Sequence, residues 1–141
     1  MVKELMHDPI FLGVKSETAT MEDKETAKDL MDTLIFHKEE CVGMAANMIG
    51  VRKNIIVFLD GSGKVPQYSL MYNPEIIKKE GAYETEEGCL SLLGGKRKCT
   101  RHKVIKVKWQ NENFETRIKT FKGFTAEIIE HEVDHLMGVL I

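Results

Sequence analysis

The chain has 141 residues, of which 43% are hydrophobic and 30% are charged. This length and composition are typical of one globular domain, so we expect a single domain over residues 1–141. Twenty basic and 22 acidic residues give a net charge of -2, which disfavours direct binding to nucleic acid or to an anionic membrane. The sequence lacks an apolar run that would span a bilayer and a secretory signal, so the expected location is the cytoplasm.

The first half of the chain predicts one helix and two strands. Thr20-Met21-Glu22-Asp23 has the form of a capping box, and apolar residues at helical spacing follow it. A helix is therefore expected over about residues 22–38. Ile55–Asp60 is short and rich in β-branched residues, and a glycine-containing segment follows it, as expected of a buried strand that ends in a turn. Residues 69–73 resemble a second strand.

The second half predicts a hairpin followed by a buried helix. Apolar and polar residues alternate over residues 103–109, and residues 114–121 are also strand-like, so the two segments are expected to form a hairpin with one wet face. Residues 124–137 carry apolar side chains around most of a helix, which predicts burial on nearly all sides. Helices at both ends and strands between them favour an α+β fold.

The predicted C-terminal helix contains the motif His131-Glu132-Val133-Asp134-His135. A spacing of four residues places both imidazoles on one face, where they can share a metal ion, and Glu132 lies beside them as a candidate acid or base. A pair of hydrogen-bonded core histidines is the alternative. However, two histidines and three carboxylates on a short apolar helix would carry heavy desolvation costs without a cation, so the metal site is favoured.

The residues themselves leave the third metal ligand open. The extended zinc-peptidase pattern places a ligand six residues after the second histidine, where this chain has Ile141, so a zinc endopeptidase is disfavoured. The third ligand is therefore expected upstream, where a glycine before Cys89 permits close backbone approach. A buried structural role is the alternative for any one cysteine. The candidates are Cys41, Cys89, Cys99, His7, His37 and His102.

Three motifs, in this order, resemble those of the peptide deformylases. The second and third are Glu87-Gly88-Cys89-Leu90-Ser91 and His131-Glu132-Val133-Asp134-His135, and the first is present in altered form as Cys41-Val42-Gly43-Met44-Ala45-Ala46-Asn47-Met48. The resemblance extends from about Asp8 to the end of the sequence. It implies a peptide-deformylase-like α+β fold with antiparallel or mixed sheets around a buried C-terminal metal-binding helix.

The resemblance also implies a set of site residues. Cys89, His131 and His135 would hold one divalent metal ion, Fe(II) by preference, with zinc, nickel or cobalt as substitutes. Glu132 would be the general acid and base, and the backbone N–H of Leu90 would bind the oxyanion formed from the formyl carbonyl. The candidate substrate-binding residues, which without the resemblance would mostly be interpreted as core, are Val42, Gly43, Phe124 and Ile128.

The implied function is removal of the N-formyl group from N-formylmethionyl nascent peptides as they leave the ribosome, in bacterial N-terminal methionine processing. The substrate backbone would pair with the segment around Val42 and Gly43. No contact with nucleic acid or membrane is expected, and the oligomeric state is left open. The alternative is an impaired paralogue that keeps the fold and the metal but binds formyl peptides or a protein partner.

Two positions depart from the family pattern. Met48 stands where the family normally has a glutamine whose amide binds the oxyanion, and a thioether cannot donate that bond. Loss of one such donor costs on the order of a hundredfold to a thousandfold in turnover, so we predict a weakened deformylase unless Asn47 turns inward. Cys41 replaces the usual first glycine and either narrows the substrate cleft or has a structural role. By resemblance, Glu87 and Arg101 form an ion pair that braces the cysteine loop.

Overall fold

In the computed structural model, five strands form one sheet in the order in which they occur along the chain. The strands are β1 (Gly43–Ala45), β2 (Ile55–Asp60), β3 (Gln67–Cys89), β4 (Leu92–Gln110) and β5 (Thr116–Lys122). The helices are α1 (Pro9–Leu12), α2 (Lys24–Phe36) and α3 (Gly123–Leu136), and short 3₁₀ turns cover Met21–Asp23 and Ala46–Ile49. The structure describes the whole chain apart from the side chain of Leu93. Neighbouring strands all pair antiparallel, and the α+β prediction is confirmed.

Helix α2 is preceded by the capping box that the sequence predicts. The Thr20 hydroxyl accepts from the Glu22 N–H at 3.3 Å, and the Asp23 carboxylate accepts from the Thr20 N–H at 2.7 Å. The 3₁₀ turn leads directly into α2, which ends two residues before the predicted boundary. The helix buries three apolar residues, Ala27, Leu30 and Leu34. Full burial of each leucine side chain contributes about 1.5–3 kcal/mol.

Strand β2 is buried on both faces and divides the core into two layers. Ile56 and Phe58 belong to the hydrophobic cluster that includes α3, whereas Ile55 and Val57 belong to the cluster that includes α2. Successive side chains of a strand point to opposite faces, so the first four residues of β2 are apolar and buried on both faces. The predicted strand over Ile55–Asp60 is confirmed.

The predicted strand at residues 69–73 is present, but the observed strand is much longer than the predicted one. It lies within β3, which continues to Cys89 and pairs with β4 almost to the turn, where Cys89 lies opposite Leu92. Most side chains of β3 between residues 78 and 86 are exposed. This part of β3 contacts α3 through polar side chains, such as Tyr83 with Glu127, so its sequence shows no apolar alternation and periodicity could not predict it.

The predicted hairpin over residues 103–121 is confirmed by the pairing of β4 with β5. Ile105 and Val107 are buried, while Lys106 and Lys108 between them are exposed, as expected of one wet face. The same two buried residues belong to the layer that packs against α3. This hairpin therefore forms part of the surface on which α3 rests.

Helix α3 packs against β1, β2 and β4, and buries Ala126, Ile128 and Ile129. The expectation that its apolar residues are covered on nearly all sides is wrong at both ends, since Phe124 is 64% exposed and Met137 is 52% exposed. These residues lie in the first turn and just after the last turn, beyond the strands that cover the middle of the helix. Among the described residues, no helix is long and apolar enough to span a membrane.

Candidate active site

Three metal-ligating side chains meet where the β3–β4 hairpin reaches α3. Cys89 is the last residue of β3, immediately before the two-residue turn, and His131 and His135 lie one turn apart on α3. Their ligand atoms all lie within 4.8 Å of one another, and the two Nε2 atoms are 3.0 Å apart. Within the described part of the chain, this is the sole group of three or more such ligands that close together. The other candidate third ligands lie outside the group, namely Cys41, Cys99, His7, His37 and His102.

The donor set fits a divalent ion. His131 Nδ1 lies 2.6 Å from a carboxylate oxygen of Glu87, so a neutral His131 carries its proton on Nδ1 and directs the lone pair of Nε2 toward His135. Carboxylates orient metal-binding imidazoles in this way. One thiolate and two imidazoles supply three protein ligands, the number found in catalytic sites that keep a position open.

The surroundings of the two imidazoles shift their pKa values in opposite directions. Burial disfavours the charged form of His131, but hydrogen bonds with Cys89 and Glu87 outweigh it and raise the pKa of His131 to about 10. Burial, together with the charge of His131, lowers the pKa of His135 to about 3.

A buried arginine braces the ligands from behind. Arg101 on β4 is 2% exposed; its Nη2 donates to Glu87 at 2.7 Å and its Nη1 to Asp134 at 2.7 Å. Burial alone would raise the pKa of Glu87, but the bonds from His131 and Arg101 hold that pKa well below its usual range. We call Arg101, Glu87 and Asp134 the rear brace. The expected pair of Glu87 and Arg101 is present, and Asp134 is the partner that the sequence interpretation missed.

The other carboxylates of α3 are also paired with the hairpin. Glu130 accepts from the His102 N–H at 2.9 Å, lies 2.9 Å from the His102 ring nitrogen and is 3.4 Å from the Lys79 ammonium. Tyr83 donates its hydroxyl proton to Glu127 at 2.8 Å. Side chains of β3 and β4, rather than a metal, therefore pair with Glu130 and Asp134, so the burial of these two carboxylates does not require a cation as the sequence suggested. Glu132 differs from both.

Glu132 is a buried carboxylate that forms no ion pair with a side chain among the described residues. It is 3% exposed, and its Oε1 has no hydrogen-bond partner among the described residues. A Cβ at Gly43 would lie 2.9 Å from Oε2 of Glu132 and 2.7 Å from Ile128, so glycine is what lets α3 approach β1 this closely. Burial is the main cause that raises the pKa of Glu132 to about 7, a value suited to accepting and donating a proton.

A cleft of about 680 Å³ opens beside this group, between β1, the hairpin turn and α3. Its volume is in the usual range for small-ligand sites. The structure brings together around it all the residues predicted to act on or bind a substrate, namely Val42, Gly43, Leu90, Phe124, Ile128 and Glu132, together with Cys89 and His131. His135 lies deeper and is fully buried.

The two residues at the end of the first motif lie at different depths from this cleft. Met48 lines it and is 1% exposed, and its sulfur accepts from the Ala45 N–H at 3.5 Å. Asn47 is fully buried and donates from its amide to the His135 carbonyl at 2.8 Å. The inward turn that would let Asn47 replace a glutamine is not observed, because its amide is bound to α3 instead.

Comparisons with known proteins agree with this geometry. The family model described as polypeptide deformylase matches residues 5–141. The chain is 51% identical over 141 residues to a peptide deformylase of Clostridium beijerinckii, which covers 100% of both chains. It is 38% identical over 128 residues to one of Aquifex aeolicus, which covers 89% of this chain and 74% of that protein.

Solved structures give the same result. The peptide deformylase of Thermotoga maritima superposes with a TM-score of 0.85 at 30% identity, over 99% of this chain and 95% of that chain. A class I type b peptide deformylase of Acinetobacter baumannii with Met-Ala-Ser bound superposes with a TM-score of 0.86 at 25% identity, over 99% and 96% of the two chains. These matches favour hydrolysis and give no added support to the binding-module alternative.

Proposed function

Because the chain belongs to the peptide deformylase family, we propose that Cys89, His131 and His135 hold the single divalent metal ion of a formyl-peptide hydrolase. The chain is a peptide deformylase, a metal-dependent enzyme that removes the formyl group from N-formylmethionyl peptides. The observation that supports the assignment of the ligands most directly is that one sulfur and two imidazole nitrogens lie within 4.8 Å of one another, beside a cleft that is also lined by Glu132.

We assign Fe(II) as the ion used in the cell, and zinc, nickel or cobalt as ions that the same donors accept. When bound, such an ion polarises the formyl carbonyl and makes water more acidic. The rear brace keeps the imidazole of His131 oriented for this role through Glu87.

In this proposal Glu132 moves the proton. Its carboxylate takes a proton from the attacking water and delivers it to the amide nitrogen as the bond between that nitrogen and the formyl carbon breaks. Formate leaves, and the peptide keeps a free amino terminus. Two observations support this role: the Oε1 atom of Glu132 has no hydrogen-bond partner among the described residues, and the pKa of Glu132 is raised. The N–H of Leu90, at the first position of the hairpin turn, is proposed to donate to the oxyanion.

We propose that the substrate lies along β1. Its backbone pairs with the segment around Val42 and Gly43, and its methionine side chain contacts Phe124 and Ile128, which line the same cleft. The exposed position of Phe124 at the cleft mouth supports a contact with a ligand rather than with the core. The proposed substrates are nascent chains that leave the ribosome in the bacterial cytoplasm.

We further propose that turnover is weakened by Met48. Neither its thioether nor the amide of Asn47, which is bound to α3, supplies a hydrogen-bond donor to the cleft at this point. The absent donor corresponds to a loss on the order of a hundredfold to a thousandfold relative to an enzyme with glutamine at this position.

The assignment of the ligands is tested by metal content and formate release. The protein is purified anaerobically with Fe(II), and formate release from formyl-Met-Ala-Ser is compared with cleavage of an unblocked protein. We expect formate release without protein cleavage. His135→Ala should lose both the metal and formate release, whereas the matched control His37→Ala, at a histidine outside the ligand group, should lose neither. Full metal content in His135→Ala would contradict the assigned ligands.

A further inference from the structure

The free edge of β1 can be identified from its hydrogen bonds. β1 is the edge strand of the sheet, and the Leu59 N–H of β2 donates to the Val42 carbonyl at 2.8 Å. In an antiparallel pair, hydrogen-bonded and non-hydrogen-bonded positions alternate. Since Gly43 lies opposite Phe58 and Ala45 opposite Ile56, the polar backbone groups of Gly43 and Ala45 point away from β2.

This free edge faces the cleft. Val42 and Gly43 both line it, and α3 packs so closely against Gly43 that no side chain would fit there. An edge strand with unpaired N–H and C=O groups is the surface to which an extended peptide adds as a further strand. Gly43 and Ala45 therefore supply the hydrogen bonds that a substrate backbone would use. This inference rests on the proposed function, in which a formyl peptide binds in the cleft.

Two sulfur atoms of the same chain already contact these groups. The Cys41 thiol donates to the Gly43 carbonyl at 2.8 Å, and the Met48 thioether accepts from the Ala45 N–H at 3.5 Å. Cys41 also lines the cleft, so its thiol lies on the side from which a peptide would approach. Burial, together with the charge of Glu132, raises the pKa of Cys41 to about 12, so the thiol keeps its proton and stays a donor near neutral pH.

We propose that the Cys41 thiol caps the Gly43 carbonyl, and that a substrate amide must displace or share this bond in order to pair with β1. The cap weakens binding of the substrate backbone and leaves the chemical step unchanged, because the thiol does not touch the reacting atoms. A carbonyl oxygen has two lone pairs and a thiol is a weak donor, so the effect is a severalfold increase in KM rather than a block.

The test compares three substitutions that differ in donor strength. Cys41→Ala and Cys41→Gly remove the donor, whereas Cys41→Ser replaces it with a stronger one that is smaller than the thiol. We expect KM for formyl-Met-Ala-Ser to rise from Cys41→Ala to the wild type and again from the wild type to Cys41→Ser, by about threefold or more at each step. Cys41→Gly should have a KM close to that of Cys41→Ala. The kcat of all four proteins should agree within about twofold. A purely steric role predicts a different order, with serine between alanine and cysteine.

Binding of the peptide product separates this inference from the proposed function. The Kd of Met-Ala-Ser is measured by calorimetry on the same four proteins, and this measurement requires no turnover. We expect the same order in Kd as in KM. A KM or Kd for Cys41→Ser at or below that of the wild type overturns the cap, even if every variant releases formate. If the wild type releases no formate while the order of Kd holds, the proposed function fails and the cap stands.

Discussion

The two sides of the metal-ligand group differ in how their polar groups are bonded. Behind the ligands, the rear brace joins Arg101 to Glu87 and Asp134, and Glu87 in turn bonds to His131. Facing the cleft, Glu132 keeps one carboxylate oxygen without a partner among the described residues, and sulfur atoms cover the edge of β1.

This contrast separates groups that hold geometry from groups that must change partners. A buried charge is tolerated when hydrogen bonds and an opposite charge compensate it, and such a network keeps the ligands in place. A proton carrier and a peptide-binding edge need partners that leave during the reaction. Weak sulfur contacts, and a carboxylate oxygen with no partner among the described residues, therefore suit the cleft. Substitutions on the two sides should therefore affect different measurements.

The largest effect is expected on the cleft side, at Glu132. Glu132→Ala removes the group that moves the proton, which typically contributes about a hundredfold to ten-thousandfold to the rate. Formate release should fall by that factor while the iron content stays at one per chain, since Cys89, His131 and His135 remain. Retained turnover would refute the assigned role of Glu132.

The next effect is expected behind the ligands, at Arg101. Arg101→Met leaves Glu87 and Asp134 without their shared cation, and breaking a buried ion pair in this way costs about 3–5 kcal/mol. The free energy of unfolding of the metal-free protein in urea measures it. Arg117→Met is the matched control, because its pair with Glu115 is exposed and is expected to be worth about 1 kcal/mol or less. Equal losses in the two variants would contradict the rear brace.

A gain of turnover is expected at Met48. In Met48→Gln, the amide oxygen can keep the bond from the Ala45 N–H while the amide N–H donates into the cleft. Turnover on formyl-Met-Ala-Ser should rise by about a hundredfold. Met48→Leu adds no donor and should give no rise. If the glutamine variant is no faster than the wild type, the weakened oxyanion site is not the explanation for this position.

The smallest effect is expected between the two sides, at Tyr83. Tyr83→Phe removes the hydrogen bond to Glu127 without changing the shape of the ring, and one such bond contributes about 1 kcal/mol. The free energy of unfolding should fall by about that amount, and metal content should not change. Loss of metal in this variant would mean that the hairpin and α3 are coupled more tightly than the separate contacts imply.

Local features were predictable from the sequence because they depend on neighbours along the chain. The capping box before α2 and the strand Ile55–Asp60 follow from short patterns, and they are observed where expected. The spacing of His131 and His135 places both on one face of any α-helix. The resemblance to the peptide deformylases then selected Cys89 from several candidate third ligands, a choice that spacing alone did not make.

The sequence by itself thus determined the helix that carries two ligands, the main buried strand and the family. Only the tertiary structure decided which carboxylates are compensated and where the amide of Asn47 points, since Arg101 bonds to Asp134 across 33 positions and Asn47 to His135 across 88. It also decided that the carbonyl of Gly43 points away from β2 and accepts a hydrogen bond from the thiol of Cys41. The physical reason is that such contacts depend on strand order and register, which hydrophobic periodicity within one segment does not encode.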